Sequence, residues 1–221
     1  LGITKVEGGV TEFPGGGGDS HALVLETGKC RLWESYFTYR VSGQWHSYSS
    51  AAWDLKSLAL RPDTWGSGDA AGLPILPLLA RADEASTGEI KHALRVTFKN
   101  AAMGSLRNPN GHVWPARHAA GSVATGGVPF GALLRLKADF VIPANWSTQA
   151  KAIATAMKRY GLYVADNGGN FFVTGDPSAA WDLSNHSQLQ NAITMNNMEF
   201  VDISAITRNA KFNKDSMAAS W

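Results

Sequence analysis

Between His21 and Asp54 the chain runs HALVLE, RLWESYFTYR and WHSYSSAAWD, three strand-length segments divided by turn residues at Gly28 and Ser42-Gly43. Apolar residues in them follow the short period of strands, whose side chains alternate between two faces, and the dividing residues are those that turns require. Such a pattern leaves no room for long helices. It predicts an antiparallel meander at the head of a mostly-β fold.

The same reading extends, with interruptions, through the rest of the chain. In Ile90 to Phe98, alternation places Ile90, His92, Leu94, Val96 and Phe98 on one face of a strand, with Lys91, Ala93, Arg95 and Thr97 on the other. Leu133 to Val141 reads as a similar strand. Asp166-Asn167-Gly168-Gly169 is a turn signal that predicts a hairpin of Leu162 to Ala165 with Phe171 to Thr174. One helix is legible, Ser147 to Tyr160, with Asn145 or Ser147 as cap, apolar Ile153, Met157 and Tyr160 at helical spacing, and Gly161 as stop. A second short helix in Gln188 to Met195 and a last strand in Met198 to Ile203 complete the pattern. The expected architecture is an antiparallel β-sandwich or jelly roll, with one amphipathic helix packed outside it.

Length and charge narrow the function. At 221 residues the chain suits one domain, read here as residues 21–221 behind a flexible, glycine-rich leader of residues 1–20 that includes Gly15 to Gly18. A core of that size needs neither disulfide nor metal, and the single Cys30 closes no internal bridge. With 20 Lys+Arg interspersed among 18 Asp+Glu and a net charge of +2, the footprint of nucleic-acid binding is absent. The longest apolar run, Leu73 to Ala82, is too short for a membrane span and contains two prolines. Charged residues make up 17%, below the usual ~25%, while Gly (23) and Trp (8) are abundant, a profile shared with secreted carbohydrate-handling β proteins. The start at Leu1, without methionine or a signal-type segment, reads as a processed terminus.

Ionisable groups crowd the stretch from Trp53 to His118. Leu55 to Glu84 has no sustained period and reads as a long ordered connection, the kind of segment on which sites form. Asp83 or Glu84, at its end, could fold back onto His92 and hold it in the tautomer of a general base; the alternative is a structurally satisfied histidine. In HVWPARH, Arg117 could neutralise a substrate carboxylate beside His118 as proton donor or acceptor, the pairing that uronate elimination uses; the alternative is an internal bridge to Asp63, Asp69 or Asp83. The candidate catalytic residues are therefore His92, Asp83, Glu84 and His118. Substrate-binding candidates are Arg117, Asp69, and Trp65 or Trp114 as stacking platforms, with Trp65 the most exposed because its neighbours are Thr64, Gly66, Ser67 and Gly68. No metal or other cofactor is indicated: His112 and His118 lack the spacing of a helical zinc pair, and a turn explains Asp166 to Asn170 more simply than a calcium loop. The E-x-D-x-E strand of a jelly-roll glucanase, the serine-nucleophile elbow and the phosphate-binding glycine loop are all missing.

Three blocks, LALRPDTWGSGDAAGLPILPLLARADEASTGEIKHALRVTF, HVWPARH and YGLYVADNGGNFFVTGDPSAAWD, together resemble a family of uncharacterised exported proteins, mainly bacterial with some fungal members, found at times beside carbohydrate-active modules. The resemblance spans about His21 to Asp202 and lapses after His118, where AAGSVATGGVPFG replaces a stretch richer in proline and aspartate. It implies export, a mostly-β body and an additional upstream segment, so that this chain would be the C-terminal portion of a longer precursor. It supplies no catalytic residues. The expected function is a secreted protein that binds or degrades an extracellular polysaccharide in a lyase- or hydrolase-like cleft. The alternative is a non-catalytic surface or assembly module, partnered by an upstream fragment or by like subunits, in which the charges form a buried ion network.

Overall fold

The computed structural model of the protein describes residues 19–103 and 111–218, so all of the expected leader but Asp19 and Ser20 lies outside the described residues. The three opening runs form an antiparallel sheet in the order β1 (Ala22–Glu26), β2 (Arg31–Val41), β3 (Gln44–Asp54). Ser42 and Gly43 turn β2 into β3 with φ of 48° and 81°, the consecutive left-handed residues a two-residue hairpin requires. Leu32, Ala51 and Trp53 bury one end of this sheet against Leu76. At the other end Trp45 and Tyr48 are exposed.

The second sheet has the order β7-β4-β6-β5-β8, with β4 (Leu94–Phe98), β5 (Leu133–Leu136), β6 (Leu162–Asn167), β7 (Phe172–Val173) and β8 (Met198–Phe200). The fold is mostly β, but this sheet is mixed where antiparallel pairing was expected, because β4 and β6 run parallel. The expected hairpin of β6 with β7 does not form either. β7 pairs with the far edge of β4; Asp166 and Asn167 still pair with Thr97 and Phe98, and the chain crosses to that edge from Gly168 onward instead of turning back. Thr97 anchors that step by donating its hydroxyl to the Gly169 carbonyl (2.9 Å) and accepting the Phe171 amide at its own carbonyl (3.1 Å). Two strand spacings are only about 10 Å, which a few extended residues can span.

Of the four short helices among the described residues, α1 (Ala82–Ser86), α2 (Thr148–Arg159), α3 (Ser184–Ala192) and α4 (Ser204–Thr207), α2 organises the larger core. Ser147 Oγ accepts the Ala150 amide at 3.0 Å as its cap. Gly161 ends it at φ 77°, where a Cβ would lie 2.5 Å from the Leu134 carbonyl oxygen. Ala150, Ile153, Ala154 and Met157 join Leu134, Leu162 and Val164 in one cluster, so α2 is buried rather than applied to the outside. The other readable helix lies slightly earlier than Gln188 to Met195.

The connection from Leu55 to Arg81 is ordered and holds one 3-10 turn, Leu76–Leu78. It runs between the sheets, and β2 pins it through Glu34, whose carboxylate accepts the amides of Ile75 (2.8 Å) and Leu76 (2.8 Å). That placement positions everything in the candidate site.

Candidate functional site

The charged crowd divides into a sealed part and an open part. In the sealed part Arg95, on β4, donates to Asp69 Oδ1 at 2.6 Å and to Asp166 Oδ2 at 3.4 Å. The Asp69 side chain has 0% exposure, so it is not the substrate-binding residue expected; the chain from Gly66 to Leu73 covers the face of β4 that carries Arg95. Desolvation pushes the Asp69 carboxyl well up, against the pull of Arg95. Burial raises Asp166 in the same way, again opposed by Arg95. Asp69 Oδ2 and Arg95 Nε have no partner among the described residues.

Arg117 is sealed too. Its Nε donates to the Arg61 carbonyl (2.7 Å), Nη1 to the Lys214 carbonyl (2.9 Å) and Nη2 to Asp215 Oδ1 (2.7 Å). With its guanidinium committed on every nitrogen, Arg117 ties the C-terminal segment to the connection and does not receive a substrate carboxylate. Its acidic partner is none of the three anticipated. His118 is likewise engaged with the backbone, Nδ1 donating to the Ala70 carbonyl at 2.9 Å, and does not line the groove described below. Trp114 packs edge-on to Phe212 with centroids 5.4 Å apart, and its Nε1 is buried without a partner among the described residues. It faces the C-terminal segment and offers no stacking platform. His112 pairs instead with Asp63, at 3.0 Å.

The open part is a groove of about 700 Å³ between the end of β3, the connection and the start of β4. Trp53, Trp65, Leu58, Leu78 and Pro115 are among the residues of its wall. Trp65 is 57% exposed, as its small neighbours foretold. Arg61 lies 5.6 Å from the ring centroids of both Trp53 and Trp65, and its Nε donates to the Gly66 carbonyl at 2.9 Å. Burial lowers the Arg61 pKa, and no carboxylate among the described residues offsets it.

His92 borders the same groove. Pairing of β4 with β6 begins only at Leu94, so His92 precedes the strand and is half-buried. Its Nε2 meets Glu84 Oε2 at 2.9 Å and its Nδ1 meets the Ala93 carbonyl at 2.8 Å. Glu84, from α1, is also ion-paired to Arg81. Asp83 is exposed, points at Arg81 and does not reach the ring. Both ring nitrogens are thus engaged within the fold, and Glu84 and the Ala93 carbonyl hold the ring in place beside the groove.

Sequence reasoning passed over Glu34. Fully buried on β2, it accepts the Trp53 indole at 3.1 Å as well as the two connection amides. Burial raises it to about 7 despite those donors. Its only signal in the sequence was an acid at an inward position of an otherwise apolar-aromatic strand. The sequence brought together Glu84 and His92; it did not bring Asp83, His118, Arg117, Asp69 or Trp114 to the groove. Comparison with protein-family models, with curated proteins and with solved structures found no match to this chain.

Proposed function

We propose that the protein is a secreted, non-catalytic module that binds an extracellular polysaccharide in the groove beside Trp65. The observation that carries this reading is an exposed tryptophan against a guanidinium with no carboxylate partner among the described residues, at the edge of an open groove. A sugar ring presents a flat apolar face and a polar rim. Trp65 supplies a platform for the face, while Arg61 supplies donors for the rim, best matched by a carboxylate-bearing sugar. Binding without cleavage is supported by His92, whose two ring nitrogens are engaged within the fold, and by the sealing of Arg117 and Asp69. Secretion rests on the family resemblance and the low charge content. The reading needs two sheets and the connection between them, not a closed jelly roll.

The test is affinity electrophoresis and calorimetry against neutral and uronate-containing polysaccharides. Retention by a uronate polymer, lost on Trp65→Ala or Arg61→Ala with folding intact, is the expected result. Release of reducing or unsaturated ends, abolished by His92→Ala, would replace it with the enzymatic reading. Binding to no glycan would favour the assembly module, to which the sealed ion network belongs most naturally.

A further inference from the structure

A second cluster lies away from the groove, where the segment leading into β1 meets the end of β6. Asp19, His21 and Asp166 each offer one ligand atom there, and these atoms lie within 4.8 Å of one another. The first two come from the three-stranded sheet's leading edge and the third from the mixed sheet. Backbone bonds fix the approach: the Phe37 amide donates to the Asp19 carbonyl (2.8 Å) and the Thr38 amide to the Ser20 carbonyl (3.0 Å), at a point where Phe37 takes φ 51°. His21 Nδ1 faces the Ser35 carbonyl at 3.4 Å. A carbonyl only accepts, so the proton sits on Nδ1 and the Nε2 lone pair is left for a ligand bond, the outer-shell arrangement typical of metal-bound histidine.

Charge counting points the same way. Arg95 is the cation that contacts Asp166, through Nη2, and the same nitrogen is shared with Asp69. Asp19, Asp69 and Asp166 thus outnumber it, and Asp69 Oδ2 is fully buried with no donor among the described residues. Tyr36 stands alongside, its ring 5.8 Å from that of His21.

We propose that Asp19, His21 and Asp166 form a divalent transition-metal site that clamps the three-stranded sheet to the mixed sheet. One imidazole with two carboxylates suits Zn²⁺ or Mn²⁺ better than Ca²⁺, which prefers an all-oxygen shell. Asp19 is exposed, so an ion reaches the site from solvent, and three protein ligands leave room for water.

The test uses the full chain stripped with a chelator and then titrated with Zn²⁺, Mn²⁺ and Ca²⁺, following heat release and melting temperature. One Zn²⁺ or Mn²⁺ per chain, with a rise in Tm, is expected. His21→Ala and Asp19→Asn should each weaken binding at least about tenfold and erase the rise in Tm, while circular dichroism stays unchanged. Asp19 is exposed, so its variant keeps the test valid if His21→Ala fails to fold. Equal affinity in wild type and both variants, a preference for Ca²⁺, or no binding by the wild-type chain would each overturn the proposal.

Discussion

The sealed network around Arg95 and Arg117 and the groove beside Trp65 draw on the same stretch of sequence, yet they use their charges in opposite ways. In the network each guanidinium faces acceptors supplied by the fold, and desolvation is offset by pairing. In the groove Arg61 is stacked between indoles with no acid among the described residues, beside open space. Crowding of charges therefore does not locate a binding site. What locates it is a charge whose partner the fold does not provide.

The largest effect tests the sealed side. Glu34→Ala strands two backbone amides and the Trp53 indole in a buried place, and should cost about 3–5 kcal/mol or prevent folding, measured by urea denaturation. Arg95→Met should cost a similar ~3–5 kcal/mol because it leaves Asp69 buried and uncompensated, whereas Arg95→Met with Asp69→Leu should recover most of the loss. Failure of that rescue would show that the network does more than satisfy itself.

Titration gives the next largest effect. A folded-state pKa above the unfolded value means stability is fully present below the unfolded pKa and is lost as pH rises through the folded one. Glu34, raised from 4.5 to about 7, should therefore remove about 3 kcal/mol between those pH values, and Asp69 and Asp166 act in the same direction. Denaturation curves at a series of pH values check this, and Glu34→Gln should flatten the slope through that window.

Smaller effects sharpen the open side. Trp65→Ala should change stability by no more than about 0.5 kcal/mol, since the ring is mostly exposed, but weaken glycan binding about tenfold. His92→Gln should alter binding least, because both ring nitrogens are already engaged by Glu84 and the Ala93 carbonyl. A large loss of binding there would break the contrast between the two regions.

Particular elements show how far the sequence reaches. The first three strands and the turn at Ser42-Gly43 were legible nearly to the residue, and so was α2 with its Ser147 cap, because period, turn residues and capping are local properties. The exposure of Trp65 was legible for the same reason. The contact of Glu84 with His92 was visible as one of two options; the choice over Asp83 came from how α1 docks. The acidic partner of Arg117, Asp215, was not legible, because it comes from the far end of the chain and no local spacing announces it.

The sequence by itself determined a mostly-β chain of short strands with one well-capped helix, an unusual stock of tryptophans, and ionisable groups crowded between Trp53 and His118. Only the tertiary structure decided that β7 crosses to β4, that β4 and β6 run parallel, which charges were sealed and which faced the groove, and that Asp19, His21 and Asp166 meet. Alternation and capping depend on neighbours a few residues apart, whereas desolvation and pairing depend on whatever distant segment folds over a residue, and that is fixed only when the sheets and the connection between them assemble.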